Sequence, residues 1–249
     1  MRRGQDMLEM FSRASPALQA KLTDALGRVL ELRARLHADA ELSSRWLAVK
    51  RFQSGRLTGT YADLLANPRY REACEFFLEE LYGARDFEQR DAETQRVVPK
   101  LAKMLPGRAI ETLLLAVELD ELSEEMDVGV AREVALPDGG EVTAELYAQA
   151  YVKVGSKARR ERQIALVDDV GTALDRLARI PMLSPMLGMM KAPAEAWGYG
   201  HLHHFLNRGF HAFAKMGGAK DFLETIRRRE LAINARLFAR DPDPFRPVA

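Results

Sequence analysis

Residues 18–36 read LQAKLTDALGRVLELRARL, and this stretch decides the fold class. Its apolar side chains recur every three or four positions, which places them on one face of an α-helix. The same periodicity returns in residues 164–177 and 222–237, with glycine and proline breaks between the helical runs. Evidence for strands is confined to two short segments around Asp138-Gly139-Gly140, and a single hairpin of that size is only marginally stable in water. The sequence therefore predicts an all-α protein.

The length and the breaks predict a compact bundle of about eight to ten helices, forming one domain over residues 1–249. Most connections between the helical runs are short, which argues against independent domains. The loop near residues 128–141 is the best candidate for an internal boundary between two helical halves. Residues 241–249 are expected to form a flexible C-terminal tail. Asp91 and Ser156 precede new helical runs and are predicted to be N-caps.

Composition excludes several classes of protein. The chain has 249 residues and a formal net charge of +1, and 47% of its residues are hydrophobic, which excludes general disorder. A single cysteine, Cys74, excludes a disulfide scaffold and fits a reducing compartment. Charges at Asp6 and Glu9 interrupt the segment where a secretory signal would need an apolar run. The uncharged stretch 180–190 is far shorter than the roughly 20 residues of a membrane span. We therefore expect a cytoplasmic protein.

Charge is segregated along the chain. Residues 1–62 carry 11 basic and 6 acidic side chains, residues 63–146 carry 9 and 20, and residues 147–249 carry 17 and 10. An acidic middle between two basic ends favours pairing of the opposite charges within the fold. The alternative is a two-faced surface that pairs molecules head to tail.

Residues 76–91, FFLEELYGARDFEQRD, are more distinctive than their periodicity. They resemble the signature of an uncharacterised bacterial all-helical family, in which Phe-Phe-Leu is followed by Leu-Tyr-Gly, Asp-Phe and Arg-Asp. The similarity covers roughly residues 45–130. It implies a helical protein of unassigned activity and assigns no catalytic residue. The residues themselves predict an architectural corner; the alternative is a binding surface formed by Tyr82, Asp86, Arg90 and Asp91.

Motifs that carry chemistry are absent from the sequence. It contains no glycine-rich phosphate loop, no dinucleotide fingerprint and no nucleophile elbow. Paired cysteines for zinc and a Glu-x-x-His motif for a dimetal centre are also missing. These motifs therefore identify no catalytic residue, and we predict no metal or cofactor. Cys74 lies among apolar neighbours and is predicted to be a buried structural thiol, with a reactive nucleophile as the alternative.

Four of the five histidines fall within residues 201–211. At 100° per residue, one helix face collects His201, His204, Arg208, His211 and Lys215. Because Arg208 and Lys215 repel a cation, this face is predicted to be a basic stripe directed at solvent or at a partner. Binding of an anion or an acidic partner, or ligation of a metal or haem, are the alternatives.

The predicted helix 108–126 carries apolar side chains on two arcs, with Glu118 between them. An isolated carboxylate in the core is costly unless it meets a cation or a hydrogen-bond donor. We therefore expect Glu118 to be buried in an ion pair with an arginine. A half-exposed glutamate and a functional acid, base or ligand are the alternatives.

Residues 181–190, PMLSPMLGMM, contain four methionines and no charge. Methionine side chains are soft and adaptable, so they fill irregular cores and also form adaptable contact surfaces. The stretch is predicted either to fill the core or to contact a protein or a lipid, with Met186 and Met189 as the exposed members in the second case.

We interpret the chain as a cytoplasmic α-helical interaction or scaffold protein that binds a protein partner or itself. The alternative is a helical metal- or cofactor-binding enzyme that uses Glu118 and the His201–His211 cluster. Nucleic-acid binding is not expected, because the net charge is near zero and aromatic residues do not interleave with the basic run 157–162. That run is expected to face solvent.

Overall fold

A computed structural model describes residues 14–81, 83, 88–101, 107–136, 140–180 and 183–248. Over these residues the chain forms twelve α-helices and no strand. The first six are α1 (Pro16–His37), α2 (Ala40–Thr60), α3 (Ala62–Ala66), α4 (Arg71–Phe76), α5 (Glu88–Leu101) and α6 (Gly107–Glu133). The last six are α7 (Ala144–Val154), α8 (Lys157–Ala178), α9 (Leu183–Met189), α10 (Lys191–Ala196), α11 (Gly200–Met216) and α12 (Lys220–Phe238).

The all-α prediction is confirmed. A π-helical turn, Phe77–Leu81, extends α4, and ten helical segments are seven residues or longer when this turn is counted with α4. The segments around Asp138-Gly139-Gly140 form no hairpin in the described residues, since 134–136 and 140–143 have no regular secondary structure. Val134 and Val142 are instead buried in the core, so their apolar character reflects packing rather than strand pairing.

Local signals set several helix ends. Ser15 caps α1 by accepting a hydrogen bond from the backbone N–H of Leu18, with Pro16 in the first turn. Ser156 caps α8 in the same way, as predicted. The prediction for Asp91 is wrong, because α5 begins at Glu88 and Asp91 lies inside it. Gly217 ends α11 with φ of +65°, a conformation that favours glycine.

α6 is the central helix, and it packs against α1, α2, α7 and α8. Buried side chains form three clusters, of which the first and third include residues of α6. The first lies between α2, α6, α7 and α12, the second between α2, α3, α4, α11 and α12, and the third between α1, α5 and α6. The stretch near 128–141, expected as an internal boundary, contributes Val128, Val130, Ala131 and Val134 to the first cluster.

The described part of the C-terminal tail, residues 241–248, is packed rather than free. The Phe245 ring lies 5.9 Å from Phe52 and 6.1 Å from Tyr147, measured between ring centroids. Arg246 donates to Asp241 at 2.6 Å. The tail therefore covers one end of the first cluster.

The two phenylalanines of the FFLEELY stretch, Phe76 and Phe77, form a corner between α4 and α11. Phe76 is buried against Phe205, with ring centroids 5.4 Å apart. A Cβ at Gly209 would lie 2.7 Å from the Phe76 ring, so the absence of a side chain at Gly209 lets α11 approach α4. Phe77 packs against Phe213 and Phe222. The predicted architectural role is confirmed for these aromatic residues.

The segregated charges pair within the fold, as predicted. From the basic N-terminal part, Arg28 and Arg33 reach acidic residues of α6. From the basic C-terminal part, Arg159 pairs with Glu125 at 2.5 Å and Arg229 pairs with Asp63 at 2.7 Å. The acidic middle of the sequence is therefore neutralised by both ends of the chain.

The most deeply buried ion pair joins α2 to α6. Lys50 Nζ lies 2.6 Å from Asp127 Oδ2, and the two side chains are 7% and 4% exposed. Gln53 Nε2 donates to the other carboxylate oxygen at 2.6 Å. Burial by itself lowers the pKa of Lys50, but the charges of Asp127 and Glu124 outweigh it and raise that pKa above its usual value. Lys50 is therefore protonated at every physiological pH.

The expectation that Glu118 is buried is wrong. Its side chain is 40% exposed, and its nearest cation, Arg162 on α8, lies 3.9 Å away. One apolar arc of α6 packs against α1, while α8 approaches from another side, and Glu118 reaches solvent. The buried carboxylates of this helix are Glu124 and Asp127, about one and a half to two and a half turns further along.

Asp127→Ala is expected to lower the free energy of unfolding by about 3–5 kcal/mol, because it leaves the Lys50 ammonium buried without its counter-ion. Glu118→Ala on the same helix removes an exposed pair and is expected to cost less than about 1 kcal/mol. Urea unfolding of both variants beside the parent protein, compared at constant slope, measures the two values. Equal midpoints for the two variants would show that the Lys50–Asp127 pair contributes no more than a surface contact.

Candidate functional site

The histidine stripe lies on the exposed side of α11. His201, His204 and His211 are exposed, as predicted for a stripe that faces solvent or a partner. Arg208, between them, is bound by two carboxylates of the π-helical turn, Glu79 at 2.6 Å and Glu80 at 2.7 Å. Lys215 pairs with Glu72 on α4. The two permanent cations of the stripe are therefore neutralised within the chain, although Lys215 is itself exposed beside the histidines.

Within the described ranges, no group of three or more His, Cys, Asp or Glu side chains is arranged to hold a metal ion. Glu118 pairs with Arg162 on α8, whereas the three exposed histidines lie on α11. The structure therefore does not join Glu118 and the His201–His211 cluster into one metal site.

The polar residues predicted at the corner divide into two groups. Tyr82 and Asp86 lie outside the described residues, and so does the side chain of Arg90. Asp91 is paired with Arg33 at 2.8 Å, and the same guanidinium also reaches Asp120 and Glu124 on α6. Asp91 thus joins α5 to α1 and α6.

Cys74 is buried at 5% exposure in the second cluster, as predicted for a structural thiol. Removal from water raises the pKa of this thiol to about 12, with smaller contributions from the charges of Asp63 and Glu75. The thiolate is the nucleophilic form of cysteine, so Cys74 is unreactive at neutral pH.

The methionine-rich stretch forms an exposed apolar surface. In the described part of the chain, all exposed large hydrophobic side chains fall between residues 186 and 197: Met186 at 50%, Met189 at 70%, Met190 at 42% and Trp197 at 66%. We call these four side chains the methionine–tryptophan face. Of the two predicted roles for Met186 and Met189, exposure fits a contact surface and not core filling.

Contacts with α11 and α5 anchor the methionine–tryptophan face to the bundle. α9 and α10 pack on α11, and Ala194 on α10 is buried. A ring nitrogen of His203, Nε2, lies 2.7 Å from the carbonyl oxygen of Leu187, which ties α9 to α11. Arg96 on α5 lies over the Tyr199 ring at 5.8 Å and donates to the Gly198 carbonyl. The exposed side chains are therefore carried by anchored helices.

One buried residue was missed by the sequence analysis. The run 157–162 was expected to face solvent, and Arg159 and Arg162 do so, but Arg160 is only 2% exposed. Arg160 has the same helical spacing to Ile164 and Val167 that marks one face of α8, and this spacing is the signal that identifies it. Its guanidinium lies 3.9 Å from the centre of the Tyr151 ring.

Comparison with protein families gives one match. A family model described as "Domain of unknown function (DUF8198)" matches residues 32–244, most of the chain. Comparison with curated proteins and with solved structures gives no match. The predicted membership of an uncharacterised family is therefore confirmed.

Cys74 is expected to resist modification in the folded protein, because at pH 8 a thiol with a pKa of about 12 is ionised in only roughly one molecule in ten thousand. A colorimetric disulfide reagent at pH 8 should leave the native protein unlabelled over minutes. The same reagent in guanidinium chloride should label one thiol per chain. Labelling of the native protein at the rate of a free thiol would show that Cys74 is accessible.

Proposed function

Because the chain belongs to this family of unknown function, we propose its role from its own residues: it is an α-helical interaction protein that self-associates through the methionine–tryptophan face. The concentration of exposed apolar side chains carries this proposal. Scattered single apolar residues are normal on a protein surface, whereas a contiguous patch marks a contact site. Met186, Met189 and Trp197 are concentrated within twelve residues of sequence, on α9 and at the end of α10, and this concentration supports a single contact surface.

A second copy of the chain is a suitable partner for this surface. In a two-fold dimer the same patch meets itself, so that apolar side chains of one copy contact apolar side chains of the other. The net charge of +1 adds little long-range repulsion between copies. Lys191 and Glu195, both exposed on α10, supply opposite charges at the rim, which two copies can pair reciprocally.

The size of the face sets the strength of the contact. A stable specific interface buries about 800 Å² on each partner, more than four side chains supply. The contact must therefore include neighbouring polar residues, among them His201 and His204, which are exposed on α11. We place the dissociation constant on the order of tens of micromolar, at the weak end of specific association.

We place this role in the bacterial cytoplasm. In support, no helix in the described ranges has the length and hydrophobicity to cross a bilayer. The single cysteine of the chain, Cys74, is a buried thiol and not part of a disulfide framework.

Met186→Asp combined with Met189→Asp is expected to abolish self-association, because it places two charges where apolar surfaces would meet. Sedimentation velocity of the parent protein from about 1 to 200 μM should show its mass rising from monomer toward dimer. The double variant should remain monomeric over the same range, with an unchanged helical circular dichroism spectrum.

Ala144→Asp combined with Ala235→Asp is the matched control, since it adds the same charge at two exposed positions away from the face. This control should associate like the parent protein. A parent protein that stays monomeric at 200 μM, or a Met186/Met189 variant that associates like the control, would contradict self-association through this face.

A further inference from the structure

A cavity of about 100 Å³ lies inside the bundle, where the first and second clusters meet. It is bounded by α2, the π-helical turn, α7, α8 and α12, and its residues Gln163, Ile164 and Val167 on α8 are partly exposed. The lining combines two chemistries. Its apolar side includes Phe77, Leu78, Ile164, Val167 and Ile226, and its polar side includes Gln53, Arg56, Asp127, Arg160 and Glu230.

The charges on the polar side are paired, with one exception. Arg56 binds Glu230 at 2.5 Å, and the same carboxylate accepts a hydrogen bond from Tyr61 at 2.7 Å. Asp127 is neutralised by Lys50. Arg160 has no carboxylate within ion-pair distance in the described ranges, and its one hydrogen bond is a long contact of 3.4 Å from Nη1 to Gln163 Oε1. The lining therefore carries one uncompensated positive charge.

The free edge of Arg160 has the shape of a carboxylate receptor. Its Nε and Nη2 atoms are buried and make no hydrogen bond. Their N–H bonds point outward from one edge of the planar guanidinium, where they form the fork that binds both oxygens of a carboxylate. Tyr151 orients the guanidinium from its face at 3.9 Å. The absence of a side chain at Gly155 leaves room beside Nε, since a Cβ there would lie 3.0 Å from it.

The other unpartnered atoms of the lining also favour an acceptor-rich ligand. Arg56 Nε has no hydrogen-bond partner. The Gln53 amide is oriented by Asp127, because its nitrogen must donate to that carboxylate, and this leaves Gln53 Oε1 as a buried acceptor without a partner. The lining thus offers three unpaired donor nitrogens and one unpaired acceptor. A ligand that supplies an anion satisfies the donors.

We propose that this cavity binds a small monocarboxylate with an apolar body, its carboxylate on the Nε–Nη2 edge of Arg160 and its body against Ile164 and Val167. The site is separate from the methionine–tryptophan face and does not depend on self-association. A volume of about 100 Å³ holds about three water molecules, at the ~30 Å³ that each occupies in the liquid, and it is smaller than the ~150 Å³ cavity that accommodates benzene. The ligand therefore has on the order of four to six non-hydrogen atoms, as a short-chain fatty acid such as propionate or butyrate has.

The stability of the fold does not by itself explain why the Arg160 guanidinium is buried without a counter-ion. An arginine that serves the fold is paired, as Arg56 and Arg33 are, because a buried charge without a counter-ion is unfavourable. Replacement of such an unpaired charge by a neutral side chain of similar length leaves stability unchanged or raises it. Arg160→Gln is therefore expected to unfold at or above the temperature of the ligand-free parent protein.

Calorimetric titration and thermal unfolding with propionate and butyrate test the site. At ten times its dissociation constant, each acid should raise the Tm of the parent by roughly 3–6 °C. Arg160→Gln should weaken binding at least tenfold, whereas Arg159→Gln, which alters the exposed neighbour, should bind like the parent. Ile164→Phe fills the apolar side without touching the charge, and it should also weaken binding at least tenfold.

Two further probes separate the features of the ligand. Butyramide keeps the apolar body without the charge, and inorganic phosphate keeps a charge without the apolar body, so neither should match butyrate. The proposal is overturned if propionate and butyrate both fail to bind, or if butyramide or phosphate raises the Tm as much as butyrate. It is equally overturned if Arg160→Gln or Ile164→Phe retains parental affinity. Should Arg160→Gln fail to fold, the Ile164→Phe result decides.

Discussion

The acidic side chains of α6 must meet cations, because this helix lies at the centre of the bundle and carries carboxylates on several sides. Asp127 is neutralised by Lys50 from α2, Asp120 and Glu124 by Arg33 from α1, and Glu125 by Arg159 from α8. Apolar burial in the three clusters supplies most of the stability of the fold. The ion pairs decide which helix lies beside which, since a shift of one turn would leave Asp127 or Lys50 buried without a partner.

This requirement explains the segregation of charge along the sequence. The acidic middle includes α6, and the basic ends include α1, α2 and α8, so each contact of the central helix brings together opposite charges that are distant in sequence. The sequence shows this pairing as opposite net charges on its middle and its two ends. The individual partners are not, because they depend on which helix faces are brought together in three dimensions.

Periodicity and capping residues were sufficient to predict the all-α class, the number of long helices and the cap at Ser156, since these depend on neighbours within a few residues. Burial of single charged residues was not predictable in the same way. Glu118 lies between two apolar arcs yet reaches water, and Asp127 does not. Arg159 and Arg160 are adjacent in a basic run, but only Arg160 turns inward. The outcomes at Glu118 and Arg160 are set by the packing of α8 against α6 and α12, and the outcome at Asp127 by the packing of α2 against α6. No local sequence pattern records these contacts.

The two proposed sites depart from the usual distribution of side chains in opposite directions. The methionine–tryptophan face exposes apolar groups that water disfavours, and Arg160 buries a charge that the interior disfavours. Elsewhere the described residues follow the usual distribution of side chains closely. Apolar groups fill the three clusters, and buried cations such as Lys50 and Arg56 are paired. A sequence that buries its large apolar side chains and pairs its buried charges almost everywhere has no structural reason to depart from these two rules at two separate places. The energetic cost of each departure is recovered only when the missing counterpart is present: an apolar surface for the face, and a carboxylate for Arg160.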